Sequence, residues 1–346
     1  MAVFRWGMFL AGAVLLVVMI VTTGAGQLYE DVIRQGWAIV PYLAMTFVEN
    51  CFHTLSVRKC FSREHRRAIP FWRLFLVYQI CYSINHVTPT VEVGGDVVKG
   101  LVIEKYVPGA EAASATVINK FAYSIGRMGA AGLLTGLTVL CFQVHGLDAW
   151  LLGLGGGLTT AALLLFAYFQ ARGLFGTALA RLAWVTGRRS QEWVRANVGE
   201  LDQRLRAYYR DHWGDLYRAI LWDLIGFAVG IAQRWYLMCL LLRDVHGLAP
   251  VTLLVAAAVW GVSSLINLIF FFVAAQLGVQ EEGYKIAFEA VGLPGEKGVA
   301  LSVVDRIDQL FWVAVGIVAY GFEMKAKRRS AAEAAEAGAS TDASRG

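Results

Sequence analysis

The chain repeats one unusual pattern of charged and polar residues within strongly apolar surroundings. A shift of 186 residues, from position 96 to position 282, aligns Asp96 with Glu282 and Lys99 with Lys285 without a gap. The other matches in this register combine turn-forming, small and polar residues: Pro108-Gly109 with Pro294-Gly295, Thr116-Val117-Ile118 with Ser302-Val303-Val304, and Asn119-Lys120 with Asp305-Arg306. Matched charges in two apolar halves are typical of transporter folds, in which the site lies at the interface of the repeats.

Composition places these repeats in a membrane. Of the 346 residues, 57% are hydrophobic and only 16% are charged, whereas a soluble protein is about 25% charged. We therefore predict an all-α polytopic membrane protein, and the modest net charge of +5 points to no nucleic-acid partner. The five cysteines include no CxxC pair and no histidine partner at ligand spacing, so neither a metal site nor a cofactor is predicted.

Eight stretches are apolar and long enough to cross a bilayer as helices, which takes about 20 residues. They are residues 5–24, 37–56, 71–88, 112–142, 149–170, 219–242, 251–275 and 299–322. Small residues follow the first stretch, as they do in a cleaved signal peptide. The many later spans favour an uncleaved first helix instead.

Two shorter stretches precede the repeated spans, and each carries charge. Residues 91–107 and 277–292 are too short or too polar for ordinary spans. Irregular backbone at membrane depth is tolerated where protein or a water-filled cavity surrounds it. We therefore predict two broken or re-entrant helices, within repeat elements 91–142 and 277–322.

Basic residues then predict the topology. Lysine and arginine are concentrated in 58–67, 172–218 and 325–329, and the positive-inside rule places such segments in the cytoplasm. All three are inside only if each short stretch completes a crossing, which makes the two repeats inverted. A re-entrant hairpin that returns to its own side would not add a crossing, and the three basic segments would then not all be cytoplasmic. The expected location is the cytoplasmic (inner) membrane of a bacterial-type cell, with multiple passes.

Residues 1–325 are predicted to form one transmembrane domain with two further features. Within 172–218, one apolar face is formed by Val194, Val198, Leu201, Leu205 and Tyr208, which predicts a helix on the inner membrane surface. It acts either as a lipid sensor or gate, or as a connector resting on anionic lipid. The tail, 326–346, is rich in Ala, Glu, Ser and Gly and is predicted to be disordered.

Charged residues inside a bilayer are expensive and are usually paired or line a cavity. Asp96 and Lys99 are three residues apart, as are Glu282 and Lys285, so each pair can meet on one helix face. Ion pairs that only stabilise the short helices are one interpretation; a shared polar cavity is the one we favour. The candidate cavity and substrate-binding residues are Glu92, Asp96, Lys99, Asn119, Lys120, Arg127, Glu281, Glu282, Lys285, Asp305, Arg306 and Asp308.

Glycines before the short helices suggest what the cavity binds. Gly94-Gly95 and Gly278 permit tight turns at helix starts within a protein-lined pocket. Helix N-termini favour anions, so an anionic headgroup such as a phosphate suits these ends together with nearby Lys and Arg. The carboxylates would either shield that headgroup or carry protons.

Several polar residues lie in other spans. Glu49 and His53 are four residues apart and are a candidate proton-linked pair. Asp223, Arg234 and Asn267 are expected mainly to form hydrogen bonds between helices. The chain has no GxxxxGK[ST], no HExxH and no GxSxG with partnered His and Asp, so ATP hydrolysis, zinc proteolysis and serine hydrolysis lack their required parts.

Two motifs resemble a known family. The segments PTVEVGGDVVKGLVIEKYVPGAEAASATVINKF and LGVQEEGYKIAFEAVGLPGEKGVALSVVDRIDQLFW resemble the two signatures of the lysylphosphatidylglycerol synthase transmembrane family. The first is also similar to hopanoid-biosynthesis-associated membrane proteins of that superfamily. Asn119-Lys120 departs from the Arg-centred pair that is commoner there.

The resemblance implies a domain that flips or moves lipids across the membrane. We expect no aminoacyl-transferase domain, because the chain ends soon after Phe322. The predicted function is therefore a lipid transporter or flippase for a phospholipid, isoprenoid or hopanoid-type lipid, rather than an enzyme. The alternatives are a membrane enzyme acting on a lipid headgroup, and a non-catalytic partner of lipid-synthesis proteins.

Overall fold

The structure is a computed structural model that describes most of the chain beyond residue 35. The described residues are 36–87, 94–142, 150, 153–161, 165, 207–208, 210–243, 245, 250–270, 273, 276 and 278–343, with 326–343 as helical backbone. Three predicted features lie wholly or mostly outside them, namely the span 5–24, Glu92 and the segment 172–218, and half of the span 149–170 also lies outside them.

Regular structure in the described residues is entirely helical, which confirms the all-α prediction. The α-helices are α1 (Ile39–Lys59), α2 (Phe71–Val87), α3 (Gly94–Ile103), α4 (Gly109–Cys141), α5 (Trp213–Leu241), α6 (Leu253–Ile269), α7 (Val279–Ala290) and α8 (Gly295–Ala343). Short 3₁₀ turns occupy Gly36–Ala38 and His65–Arg67, and residues 153–161 are also helical.

Six of these helices coincide with predicted spans. Among the described residues, α4 and α5 are long and apolar enough to cross a membrane, and α6 is a shorter apolar helix of 17 residues. The outward faces carry exposed apolar side chains such as Leu133, Leu140, Leu221, Leu310 and Phe322. Apolar outer faces around a polar interior suit a protein surrounded by lipid.

The two short predicted segments form short helices. The 10 residues of α3 and the 12 residues of α7 span only about 15–18 Å at 1.5 Å per residue, roughly half of a bilayer core. Each is followed by a turn and then by a long helix that starts directly after a proline. Pro108 is the N-cap of α4, and Pro294 precedes Gly295, the first residue of α8. The proline ring suits a helix start, where no intrahelical partner for its missing N–H is needed.

Helix contacts follow one scheme in both halves of the chain. In the first half α2 packs on α3, and α3 packs on α4; in the second, α6 packs on α7, and α7 packs on α8. The halves also exchange contacts, since α2 packs on α8 while α6 packs on α4. The pairing of α1 with α5 joins the halves at their centre.

The last helix is longer than predicted. It continues to Ala343 and therefore passes through most of the segment 326–346, which was expected to be disordered. Alanine and glutamate, which are abundant there, are strong helix formers, and they extend the helix without needing an apolar face.

Candidate functional site

A polar cavity of about 230 Å³ lies among the helices, and each of α1–α8 contributes side chains to its lining. Its described lining includes five carboxylates and four Lys or Arg side chains. The acidic residues are Glu49, Asp96, Asp223, Asp305 and Asp308; the basic residues are Lys99, Lys120, Arg127 and Arg234. The charges nearly balance, so the cavity offers groups of both signs to a ligand.

The first-half wall is organised around Asp96, in the first turn of α3. Lys99 Nζ lies 2.9 Å from Asp96 Oδ1, and Lys120 Nζ lies 3.5 Å from Asp96 Oδ2. Lys99 also donates to Asn119 Oδ1 at 2.9 Å, which ties α3 to α4. Lys99 is only 2% exposed, and a buried ammonium needs such partners.

The second-half wall is organised around Asp305 on α8. Its Oδ2 accepts from Arg234 Nη2 at 3.1 Å and from the Tyr284 hydroxyl at 2.5 Å. The Tyr42 hydroxyl donates to the other oxygen, Oδ1. Arg234 Nε donates to Tyr284 Oη at 2.7 Å, which closes the network. Four helices, α1, α5, α7 and α8, thus meet at one carboxylate.

A third cluster lies between α1 and α5. His53 Nδ1 lies 2.7 Å from Asp223 Oδ1, and His53 Nε2 lies 3.6 Å from Glu49 Oε1. Ser56 Oγ donates to Asp223 Oδ2 at 2.7 Å. Nearby, Asp308 accepts a 2.8 Å hydrogen bond from the Thr46 hydroxyl. The Glu49–His53 spacing recognised in the sequence does bring these side chains together, with Asp223 as an additional partner.

The predicted site residues divide into three groups. Seven of them line the cavity: Asp96, Lys99, Asn119, Lys120, Arg127, Asp305 and Asp308. Four others do not appear in its lining: Glu281, Glu282, Lys285 and Arg306. Glu92 lies outside the described residues.

The two copies of the repeat use their charges differently. Arg306 Nε lies 2.9 Å from Glu281 Oε1, and Glu281 is fully buried. The sequence register pairs Asp96 with Glu282 instead, but the Glu282 and Lys285 side chains are 39% and 43% exposed and 3.8 Å apart. The buried acid of the second copy is therefore Glu281, which aligns with Gly95 in the repeat. It lies one position before Glu282, the residue that aligns with Asp96.

The starts of α3 and α7 both carry polar groups of the protein itself. The Gly95 N–H donates to Asn85 Oδ1 at 2.7 Å, and α7 carries Glu281 and Glu282 in its first turn. A Cβ on residue 95 would lie 2.1 Å from the Cys81 carbonyl oxygen, so glycine is required by close packing. The start of α3 is therefore less open to an anion than the sequence predicts, because the Asn85 amide oxygen already accepts from its Gly95 N–H.

Many lining residues were not recognised as site residues from the sequence. Tyr82, Gln280 and Tyr284 are examples that line the cavity, but they carry no charge and no distinctive spacing in the sequence. Arg234 and Asp223 did give a signal, as charges in an apolar span. Their expected role was limited to bonds between helices, and they make those bonds while also lining the cavity.

No group of three or more His, Cys, Asp or Glu that could hold a metal ion is found in the part of the chain that the structure describes.

Comparison with known proteins identifies one match. A family model described as the lysylphosphatidylglycerol synthase TM region matches residues 6–316, which is most of the chain and agrees with the two sequence motifs. No curated protein and no solved structure matches the chain.

Proposed function

The chain belongs to the lysylphosphatidylglycerol synthase transmembrane family, and from this premise we propose that it is a lipid transporter or flippase. It moves the polar headgroup of a phospholipid, isoprenoid or hopanoid-type lipid across the cytoplasmic membrane. The family implies a membrane protein that acts on lipids. The observation that carries the finer proposal is the cavity, whose charged lining is contributed by α1–α8.

The barrier to lipid movement is the headgroup. Placing one charged group at the bilayer centre costs about 2.5–3.5 kcal/mol even on the lenient insertion scale, while the acyl chains remain in hydrocarbon throughout. A lining with carboxylates, ammonium and guanidinium groups replaces the water that the headgroup loses. The acyl chains would stay in the bilayer, beside the exposed apolar faces of α4, α5 and α8.

Helix contacts support a two-fold repeat of α1–α4 and α5–α8. Exchanging α1 with α5, α2 with α6, α3 with α7 and α4 with α8 converts the contact of α2 with α8 into that of α6 with α4. The same exchange converts the contact of α5 with α4 into that of α1 with α8. We propose that these halves are inverted in the membrane, with α3 and α7 as broken helices near its midplane, and that alternating packing of the halves opens the cavity to each side in turn.

Reconstituted protein provides the test. Liposomes containing the purified chain and a fluorescent phospholipid are expected to expose inner-leaflet label to an external quencher faster than empty liposomes. Asp96→Asn should slow this exposure about tenfold, because it weakens both lysine contacts in the cavity. Glu282→Gln is the matched control, since Glu282 aligns with Asp96 in the repeat but lies half-exposed outside the cavity lining.

The result separates the candidate functions. Wild-type liposomes that behave like empty ones for phospholipid and for isoprenoid and hopanoid-type probes would exclude transport. Formation of a modified lipid by the purified chain would instead favour the membrane-enzyme alternative. Equal loss of activity in Asp96→Asn and Glu282→Gln would show that the cavity is not the route.

A further inference from the structure

His53 is held between two carboxylates at the wall of the cavity. It lies on α1, is 3% exposed, and directs Nδ1 toward Asp223 on α5 and Nε2 toward Glu49 one turn earlier on α1. Neutral imidazole has one N–H, whereas the imidazolium ion has two. Only the protonated ring can present a donor to both carboxylates, so this position favours binding of a proton.

Asp223 strengthens that preference. The carboxylate is fully buried; it accepts a hydrogen bond from Ser56, and its ion-pair partner in the structure is His53. A buried carboxylate is costly unless it is paired or protonated. A proton on His53 compensates the charge of Asp223 at 2.7 Å, and the loss of that proton would remove this compensation.

Two glycines on α5 make room for this arrangement. A Cβ on Gly226 would lie 2.9 Å from His53 Cε1, and a Cβ on Gly230 would lie 2.9 Å from Glu49 Oε2. The glycines are one turn apart on α5, as Glu49 and His53 are on α1. The close approach of α1 to α5 is thus built around these two polar side chains, at the pairing that joins the halves of the fold.

Groups on the neighbouring helices complete the surroundings of His53. The rings of Tyr78 on α2 and Tyr123 on α4 lie 6.0 and 5.4 Å from the imidazole. Lys99 on α3 acts electrostatically on Asp223, and Asp308 on α8 acts on Glu49. Glu49 is less buried than His53 and also lines the cavity, so it provides a path for protons from the cavity to the ring.

We propose that Glu49, His53 and Asp223 form a proton-binding site that couples proton movement to lipid movement, an inference that rests on the proposed transport function. His53 takes a proton from water in the cavity when one side is open and returns it to water on the other side. Protonation changes the charge between α1 and α5, and so changes their packing in step with the lipid. Buried His and Asp or Glu chains serve as proton relays in other pumps and transporters.

The first experiment uses liposomes with a pH difference across the membrane. For one proton per lipid, a difference of one pH unit drives up to about a tenfold asymmetry of labelled lipid between leaflets at steady state. A protonophore should abolish this asymmetry. In His53→Gln the labelled lipid should be distributed about equally between the leaflets. His212→Gln, the same substitution outside the cavity lining, should retain the asymmetry.

The outcomes distinguish the two proposals. A wild-type chain that moves lipid but shows no effect of the pH difference overturns proton coupling and leaves transport standing, as does a His53→Gln variant that keeps the full asymmetry. A wild-type chain that moves no lipid overturns the transport function instead.

A second measurement covers variants that move no lipid. Nuclear magnetic resonance of histidine ¹⁵N in the purified wild-type chain should show a signal, absent in His53→Gln, that changes with pH between about pH 5 and 9 and shifts in Asp223→Asn. A His53 signal that stays that of neutral imidazole over the whole range overturns the proton site, independently of transport.

Discussion

Arg234 Nη2 lies 3.1 Å from Asp305 Oδ2, and this ion pair links the central helix α5 to α8 within the cavity wall. The two residues are 71 positions apart in the chain, so the pair is a tertiary contact within the second proposed half, α5–α8. Tyr42 and Tyr284 donate to the same carboxylate, which leaves little freedom for its orientation.

Removal of one member of this pair should destabilise the fold. Arg234→Met leaves Asp305 buried with hydrogen bonds from two tyrosines but without a counter-charge, and breaking a buried pair in this way costs about 3–5 kcal/mol. We expect a clear fall in the thermal unfolding temperature of the purified protein in detergent. The double variant Arg234→Met with Asp305→Leu should recover much of the loss, because no single buried charge remains. If the double variant loses more unfolding temperature than the two single variants lose together, this explanation is contradicted.

Gly226 of α5 should not tolerate a methyl group. Gly226→Ala places a Cβ 2.9 Å from Cε1 of the buried His53 ring, and overpacking of this kind costs about 1–3 kcal/mol. Gly214→Ala is the control in the same helix, since a Cβ there meets nothing within 4 Å, and alanine is the better helix former by about 0.5–1 kcal/mol. Thermal unfolding should therefore rank Gly214→Ala at or above wild type and Gly226→Ala below it; the reverse order would refute the close α1–α5 approach.

The repeated lysines should differ in importance despite their match in sequence. Lys99→Met removes a buried partner of Asp96 and of Asn119 and should cost about 3 kcal/mol or more. Lys285→Met removes a half-exposed contact 3.8 Å long, and such pairs contribute about 0–1 kcal/mol. Unfolding of both variants in the same detergent compares them directly. Similar losses of stability in the two variants would mean that Lys99 and Lys285 contribute equally to the fold, which contradicts this prediction.

The proposed inverted topology predicts where the basic segments lie. A cysteine in place of Ser190, in a chain whose five native cysteines have been replaced, should resist a membrane-impermeant thiol reagent in intact cells and react once the membranes are opened. Reaction from outside in intact cells would rule out the inverted arrangement, while leaving the cavity unaffected.

Local spacing predicted the first half of the site better than the second. Asp96 and Lys99 are three residues apart on a helix, and the structure brings them to 2.9 Å. The same spacing joins Glu282 to Lys285 only loosely and at the surface. Burial decides between the two pairs, and burial depends on how α7 packs on α6 and α8, which spacing along one helix does not encode.

Contacts between distant segments were the part that no pattern indicated. Tyr42 and Asp305 are 263 residues apart, and Arg306 selects Glu281 rather than the neighbouring acid. The charges of Asp223 and Arg234 marked them as unusual within an apolar span. Only the packing of α1, α5, α7 and α8 around one cavity reveals that both also face the same polar space.

The central claim is that a lipid headgroup enters this cavity, and photocrosslinking tests it most directly. Wild-type protein in liposomes is irradiated with a phospholipid that carries a photoreactive group on its headgroup, and the attached peptides are identified by mass spectrometry. We predict attachment to cavity-lining residues of α1, α4 and α8, with much less in Asp96→Asn and unchanged attachment in Glu282→Gln. Attachment confined to the exposed apolar faces, equal in all three proteins, would contradict passage of the headgroup through the cavity.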